Sequence, residues 1–462
     1  MTEAWGALEE DALRALARYA ASLRLEDVPA RAVALAKLAL LNLLGGIAAG
    51  SDPALNPARA ALLDYVERFA AVPAATVLFA RRRTHPQLAA LVSAGTAMAS
   101  HTDDFSPRAR THASAVLGAA ALAVGEERRV HGRELLAAFI AGWEVAARLG
   151  DAIRPGVEGA AKAFVSPTHT PAAAAVAARL AGLDERGIAE AIALACDMGA
   201  GLIAQAPAPV STLRTPLGAS LAVFCAELAA RGMQASPRAV AAWCQAYGGV
   251  ADITPLTSGL GEGCILAEDG FQLKQYQFSS GLSGLIRGLQ QAQRAAGFTA
   301  AEVEAVDCWV SPAMEAVYGV VVPRSPSEAH FSIGRACALA LTREQWDLAD
   351  VATVPHPDPA VQRLTAAVRL HRLPGSERLT ALTAAATRVE AVVRLRDGQA
   401  IPALSAPLPP ITDPEREGET VRLLYRRRAQ PILGAERARQ LEEAVDRLDR
   451  LADIGLLTEL LA

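Results

Sequence analysis

The residues best suited to chemistry fall in one short run, SHTDDFSPRARTH, from Ser100 to His112. Its flanks are rich in Ala, Val and Leu, and polar side chains set in core-like sequence need a compensating role. Ser106-Pro107 interrupts any helix, so Asp104 and His112 are freed from the directions a straight helix would impose and can meet across a loop. A carboxylate beside the imidazole would fix its tautomer and raise its basicity, which suits a base that removes a proton next to a carboxylate. The competing reading is a surface loop whose Asp caps the following helix and whose His is solvated.

Three further segments have suitable residue types. In FVSPTHTPAAAA, Phe164 to Ala175, Thr168, His169 and Thr170 stand just ahead of a helix expected to begin at Pro171. There His169 could bind a substrate carboxylate or act as acid or base, or Thr170 could simply cap the helix beside a solvent-facing imidazole. STLRTPLGA, Ser211 to Ala219, reads as a loop entering a helix at Pro216, where Arg214 and free backbone N–H groups would clamp a carboxylate, or as a surface Arg paired with a nearby acid. Lys274-Gln275-Tyr276-Gln277-Phe278 could line a cleft between two units, or be a strand with one solvated Lys. The sequence holds no phosphate loop, dinucleotide glycine fingerprint, nucleophile elbow, H-E-x-x-H or EF-hand loop, which removes support for nucleotide- and zinc-driven mechanisms and predicts no metal and no cofactor.

The elements that must position these groups are mostly helices. Asp27-Val28-Pro29 is a helix-start signature leading into ARAVALAKLALLNLLGGIAAG, apolar on nearly every side and therefore central. Ala-rich runs follow at His112–Val124, Gly132–Leu149, Pro171–Leu183, Ile188–Ala204 and Pro216–Arg231. After about residue 265 the texture changes: Val303–Val306 and Arg388–Leu395 are β-like, the second ending in the turn pair Asp397-Gly398. Pro402 to Pro414 reads as a linker, beyond which Leu441, Val445, Leu448, Leu451 and Ile454 recur at helical spacing, on a helix that returns to the first unit or packs on a partner. The class expected is mainly α: a helical domain of residues 1–265 and 405–462 and a smaller α/β domain of 266–404.

Composition narrows the rest. With 462 residues, 52% hydrophobic but only 5% aromatic, the chain can bury a large core of closely packed helices. A net charge of −4, with Arg triplets only at Arg81–Arg83 and Arg426–Arg428, makes nucleic acid an unlikely partner. Six scattered cysteines without a C-x-x-C pair suggest reduced core thiols. The acidic start lacks a signal-peptide pattern, and apolar stretches such as Leu38–Gly50 read as shorter than the roughly 18 to 20 residues of a membrane span, so a soluble, cytoplasmic protein without membrane attachment is expected.

These segments are also where the chain resembles the MmgE/PrpD family, which includes 2-methylcitrate dehydratase, cis-aconitate decarboxylase and iminodisuccinate epimerase. ALLNLLGGIAAGS, GTAMASHTDDF, the stretch from Thr111 to Gly150, LRTPLGASLAVFCAELAARGM, KQYQFSSG and PSEAHFSIGRACALAL follow the family's order along nearly the whole chain. The resemblance implies a helical domain built from both chain ends, an α/β lid, an active site at their junction, a homodimer, and metal-free chemistry on small polycarboxylates. It makes Asp104 the first active-site Asp and His112 the following active-site His, with Arg214 where a Lys is usual.

The departures point to a changed substrate. Ser106-Pro107 replaces an Asp-Asp pair and Arg108 a Thr; the family's H-P-T becomes Ser166-Pro167-Thr168, so His169 would have to substitute for its His; Ser283, Arg287 and Gly334 replace a His, an Asp and a Tyr. The function expected is a cofactor-independent lyase or isomerase, most simply a dehydratase, acting by proton abstraction next to a carboxylate or carbonyl of a non-standard small molecule. Asp104, His112 and His169 are its expected catalytic groups, and His101, Arg108, Ser166, Arg214, Lys274, Tyr276 and Ser283 its expected substrate contacts. The alternative is a catalytically silent member that binds a ligand or partner.

Overall fold

The computed structural model describes residues 2–52, 55–68, 72–158, 167–199, 211–249, 252–377, 379, 387–406 and 408–462. Helices hold 61% of the chain and strands 9%, a mainly α protein. It divides into two compact units: one from the described parts of 1–203, 212–273 and 410–462, the other from those of 274–409.

Unit 1 is built around the helix Ala30–Ala49, which follows Pro29 directly. Small residues on it allow neighbours to approach closely. A Cβ on Gly50 would sit 2.1 Å from the Thr96 carbonyl oxygen, and one on Gly46 would sit 2.8 Å from Thr102 Oγ1, so the helix Pro86–Ala99 and the loop after it press against its backbone. On another side lies the C-terminal helix Pro414–Leu433, capped by Asp413, whose side chain accepts from Glu415 N and Arg416 N. The C-terminal segment therefore returns to the first unit. Among the described residues two helices, Ala30–Ala49 and the stretch Leu213–Ala230, are long and apolar enough to cross a membrane, which corrects the expectation that no stretch reaches that length; in unit 1 the first is a core helix, 78% buried.

Unit 1 also contains an unexpected element, the hairpin Ala75–Val77 with Arg82–Thr84. Buried Glu126 holds it: its carboxylate accepts from Thr76 N at 2.8 Å, Thr76 Oγ1 at 2.7 Å and Arg83 at 2.6 Å, enough partners to offset burying a charge.

Unit 2 carries a four-stranded sheet in the order Val368–Arg372, Val303–Val310, Glu390–Leu395, Ala400–Leu404, with the first pair parallel and the others antiparallel. The last two strands are joined at Asp397-Gly398: Gly398 takes φ 90°, a left-handed conformation that glycine adopts without a Cβ penalty. The strand starting at Val303 runs on to Val310 because Val306, Cys308 and Val310 keep one face buried. All six cysteines are free and buried.

Candidate active site

The 100–112 segment of unit 1 is a compact turn rather than a solvated loop. His101, at φ 50°, ends the preceding helix in the left-handed region, and its N–H reaches the Met98 carbonyl at 3.1 Å. Ser106 and Thr111 exchange both backbone hydrogen bonds, at 2.9 and 3.3 Å, and Ser106 Oγ accepts from Ala109 N, closing the loop between them. Phe105 pairs with Gln272 in the same way, at 3.0 and 2.8 Å. A Cβ on Gly150 would sit 2.1 Å from the Arg108 carbonyl oxygen, so the helix Gly132–Glu158 braces the turn from behind.

This arrangement brings an acid and a base together, with a change of partner. The carboxylate on His112 belongs to Asp103, whose Oδ2 lies 2.5 Å from His112 Nδ1. Asp104 offers its backbone carbonyl to the same nitrogen at 3.0 Å, while its own Oδ1 accepts from Ser114 N at 3.1 Å. The expected Asp104–His112 side-chain pair is corrected accordingly: Asp104 caps the helix that follows, and its neighbour orients the histidine. That following helix begins as a π turn, Ser114–Gly118, before turning α at Ala119; such turns recur at functional sites.

The Asp103 side chain is 1% exposed and that of His112 14%. With Nδ1 committed to two oxygen acceptors, its proton is held there and Nε2 is the basic nitrogen. Nε2 has no hydrogen-bond partner among the described residues. The Phe105 ring stands 5.3 Å from the imidazole, centroid to centroid.

His169 and Arg214 occupy helices of the same unit. The first helix starts at His169, so Pro171 lies inside its opening turn, where the missing N–H forfeits no bond. The second starts at Ser211, with Arg214 in its first turn and Pro216 inside the helix. Both helices thus begin earlier than their prolines suggested. Thr168 Oγ1 donates to the Ala109 carbonyl at 2.6 Å, tying the start of the first helix to the 106–111 turn. The His169 ring lies where a Gly218 side chain would be: a Cβ there would meet its Cδ2 at 2.2 Å and Nε2 at 2.4 Å. Arg214 precedes Gly218 by one turn on the same helix face. Burial pulls the Arg214 guanidinium below its usual range.

Gly218→Ala tests this packing. In an unencumbered helix the change gains about 0.5–1 kcal/mol, but overpacking costs about 1–3 kcal/mol, so a net loss of stability is expected. Thermal unfolding reads it, and a variant more stable than wild type would show that the ring is not held there.

Among the other expected contacts, Arg108 is drawn into ion pairs: its guanidinium binds Asp151 at 2.7 Å and Asp269 at 3.3 Å. Ser166 lies outside the described residues. A cleft of about 610 Å³ in unit 1, lined among others by Lys37, Arg133 and Arg422, contains none of the site residues.

Unit 2 holds its own cluster. Lys274 is buried, Tyr276 stacks on Trp346 with centroids 5.6 Å apart, and Ser283 opens the helix Ser283–Ala296. His330, fully buried, places Nδ1 2.8 Å from the Gln277 carbonyl. Burial, reinforced by the Lys274 and Arg335 charges, pushes this imidazole down to about 4 against the Gln277 bond. The folded chain then binds no proton where the unfolded chain binds one, so the stability from His330 is full above pH 6.5 and falls as pH drops toward 4. By linkage the loss reaches about 3 kcal/mol. Urea midpoints of wild type and His330→Gln at pH 7 and pH 4.5 check this; an unchanged pH slope in the variant would assign it to another group.

A family model of the MmgE/PrpD N-terminal domain matches residues 14–253, just over half the chain, a span that contains the Asp103–His112 pair, His169 and Arg214. The chain belongs to the MmgE/PrpD family. It is similar to the cis-aconitate decarboxylase-like protein oryM of Aspergillus oryzae, 29% identical over 198 residues, which is 41% of this chain and 40% of that protein. The match therefore spans well under half of that relative's length. The MmgE/PrpD family includes dehydratases and decarboxylases.

Sequence reasoning missed several groups at this MmgE/PrpD site. Asp103 was visible only as half of an Asp-Asp pair. Asn42, in the core helix, donates to the Thr102 carbonyl at 3.1 Å and accepts from Arg428 at 2.9 Å. An Asn in the middle of LALLNLLGG was the one available signal. Arg428 was set aside with its triplet, of which Arg426 is engaged on Glu442 and Glu419.

Proposed function

We propose that this protein is a lyase that removes a proton from the carbon next to a carboxylate or carbonyl of a small organic acid, with dehydration as the outcome. The observation that carries the proposal is the Asp103–His112 pair: a buried carboxylate 2.5 Å from Nδ1 and a partly exposed imidazole whose Nε2 has no hydrogen-bond partner among the described residues. Nε2 takes the proton, the carbon electron pair forms the double bond, and a hydroxyl on the neighbouring carbon leaves as water with a proton from His169. Arg214 holds carboxylate oxygens of the substrate, the task for which a guanidinium fork is built. Unit 1 supplies every group in this scheme. Membership of a family with dehydratases and decarboxylases supports chemistry at the carbon next to a carboxylate, where dehydration removes a proton and decarboxylation adds one.

The test is NMR of a panel of hydroxylated and unsaturated di- and tricarboxylates incubated with the protein in deuterated water. Deuterium entering next to a carboxylate, followed by loss of the hydroxyl-bearing carbon signal, is the expected result. No exchange and no turnover across the panel would reject the reading in favour of a non-catalytic binding role.

A further inference from the structure

We infer that the cleft of about 610 Å³ in unit 1 is a second binding site, one that takes a zwitterionic small molecule with an apolar body, such as an apolar dipeptide. Its volume is that of an ordinary ligand pocket, about 300–1,000 Å³. The inference is independent of the His112 chemistry, since none of the residues proposed for that reaction lines the cleft. The floor is apolar and comes from the core helix Ala30–Ala49, whose Val33, Ala34 and Leu38 line it. Arg422 of the C-terminal helix and Asp446 and Asp449 beyond it supply part of the walls. An occupant therefore touches segments from both ends of the chain.

Charge decides the chemistry of that occupant. Three cations, Lys37, Arg133 and Arg422, and three carboxylates, Glu26, Asp446 and Asp449, line the cleft. They are matched. Lys37 binds the Asp449 carboxylate and, at 2.8 Å, the Asp446 carbonyl; Arg422 reaches both Asp446 carboxylate oxygens, at 2.7 and 3.0 Å; Arg133 lies 2.6 Å from Glu26. A ligand with a net charge would leave that charge unbalanced in a partly buried site, which is costly, whereas a zwitterion keeps the lining neutral. Both of its ends find partners. The Lys37 ammonium has three N–H groups and engages two, and the Arg422 Nε–H has no acceptor among the described residues, so these less exposed cations hold the carboxylate. Glu26, at the rim with its side chain 61% exposed, has lone pairs left for the ammonium. The apolar body then lies over Val33, Ala34 and Leu38.

The experiment is isothermal calorimetry of the full-length protein with L-leucyl-L-leucine, its N-acetyl form, which lacks the ammonium, and its amide, which lacks the carboxylate. One-to-one binding of the zwitterion is expected, at least about fivefold tighter than either blocked form, the scale of one partly exposed ion pair. The same peptide should raise the unfolding midpoint as its concentration rises, because the site exists only in the folded unit. Ala34→Phe fills the floor without touching an ion pair and is expected to abolish binding. Glu26→Gln is expected to remove the preference for the zwitterion over the N-acetyl form. If Ala34→Phe does not fold, Ala34→Leu replaces it. No heat from any of the three peptides up to millimolar concentration overturns the inference, as does equal affinity for all three or undiminished binding by a folded Ala34 variant. None of these readouts needs turnover, so a protein that proves catalytically silent leaves the result unaffected.

Discussion

His112→Ala is expected to reduce solvent exchange and turnover on any accepted acid by at least about a hundredfold, because a positioned general base contributes about 10² to 10⁴ in rate. The geometry makes this a rate effect instead of a folding effect. His112 is partly exposed and its bonds go to Asp103 and one backbone carbonyl, whereas the turn around it is closed by the Ser106–Thr111 and Phe105–Gln272 backbone pairs. Thermal melting of the variant should therefore stay near wild type while the rate collapses. Exchange persisting at the wild-type rate would move the base elsewhere, with His169→Ala the next variant to measure.

The second large effect separates two adjacent carboxylates. Asp103→Asn replaces the acceptor facing Nδ1 with an amide that can present either its oxygen or its NH2, so the proton is no longer confined to Nδ1 and Nε2 is no longer reliably the basic nitrogen. A rate loss of about a hundredfold or more is expected, the scale of losing the acid that orients a catalytic histidine. Asp104→Asn keeps an oxygen for the Ser114 N–H and should leave the rate near wild type, whereas Asp104→Ala leaves that buried N–H without its acceptor and should lower stability by about 1–3 kcal/mol. Comparing rates with melting temperatures decides: Asp103→Asn loses more rate than its change in stability accounts for, and Asp104→Ala loses stability while keeping its rate. If Asp104→Asn removed the rate as thoroughly as Asp103→Asn, the carboxylate assigned to His112 would be the wrong one.

Local chemistry was legible in the sequence and long-range geometry was not. The Asp397-Gly398 turn, the strand at Val303 and the helix after Pro29 each follow from residues within one turn of them, and all three are present. The 100–112 segment was identified for the right reason, polar residues in an apolar setting. Choosing between Asp103 and Asp104 required the direction of each side chain, which Ser106-Pro107 leaves open. Arg108 looked available because Asp269 stands 161 residues away. Gly218 gave no signal, since a helix glycine is informative only when its neighbour is known. The prolines at 171 and 216 misplaced two helix starts because the first turn of a helix has no N–H bonds to lose, and a later proline forfeits only one.

The return of the C-terminal helix onto Ala30–Ala49 also sets an order of events during synthesis. Arg428 meets Asn42 across 386 residues of chain, and at ribosomal speeds of about 5–20 residues per second that separation is a delay of roughly 20 to 80 seconds. Throughout it, a helix with mean hydropathy 1.9 waits without the partner that covers one of its sides. Nascent chains of this protein are therefore expected to depend on chaperone shielding, and truncation before residue 414 should yield aggregates in place of a smaller active unit.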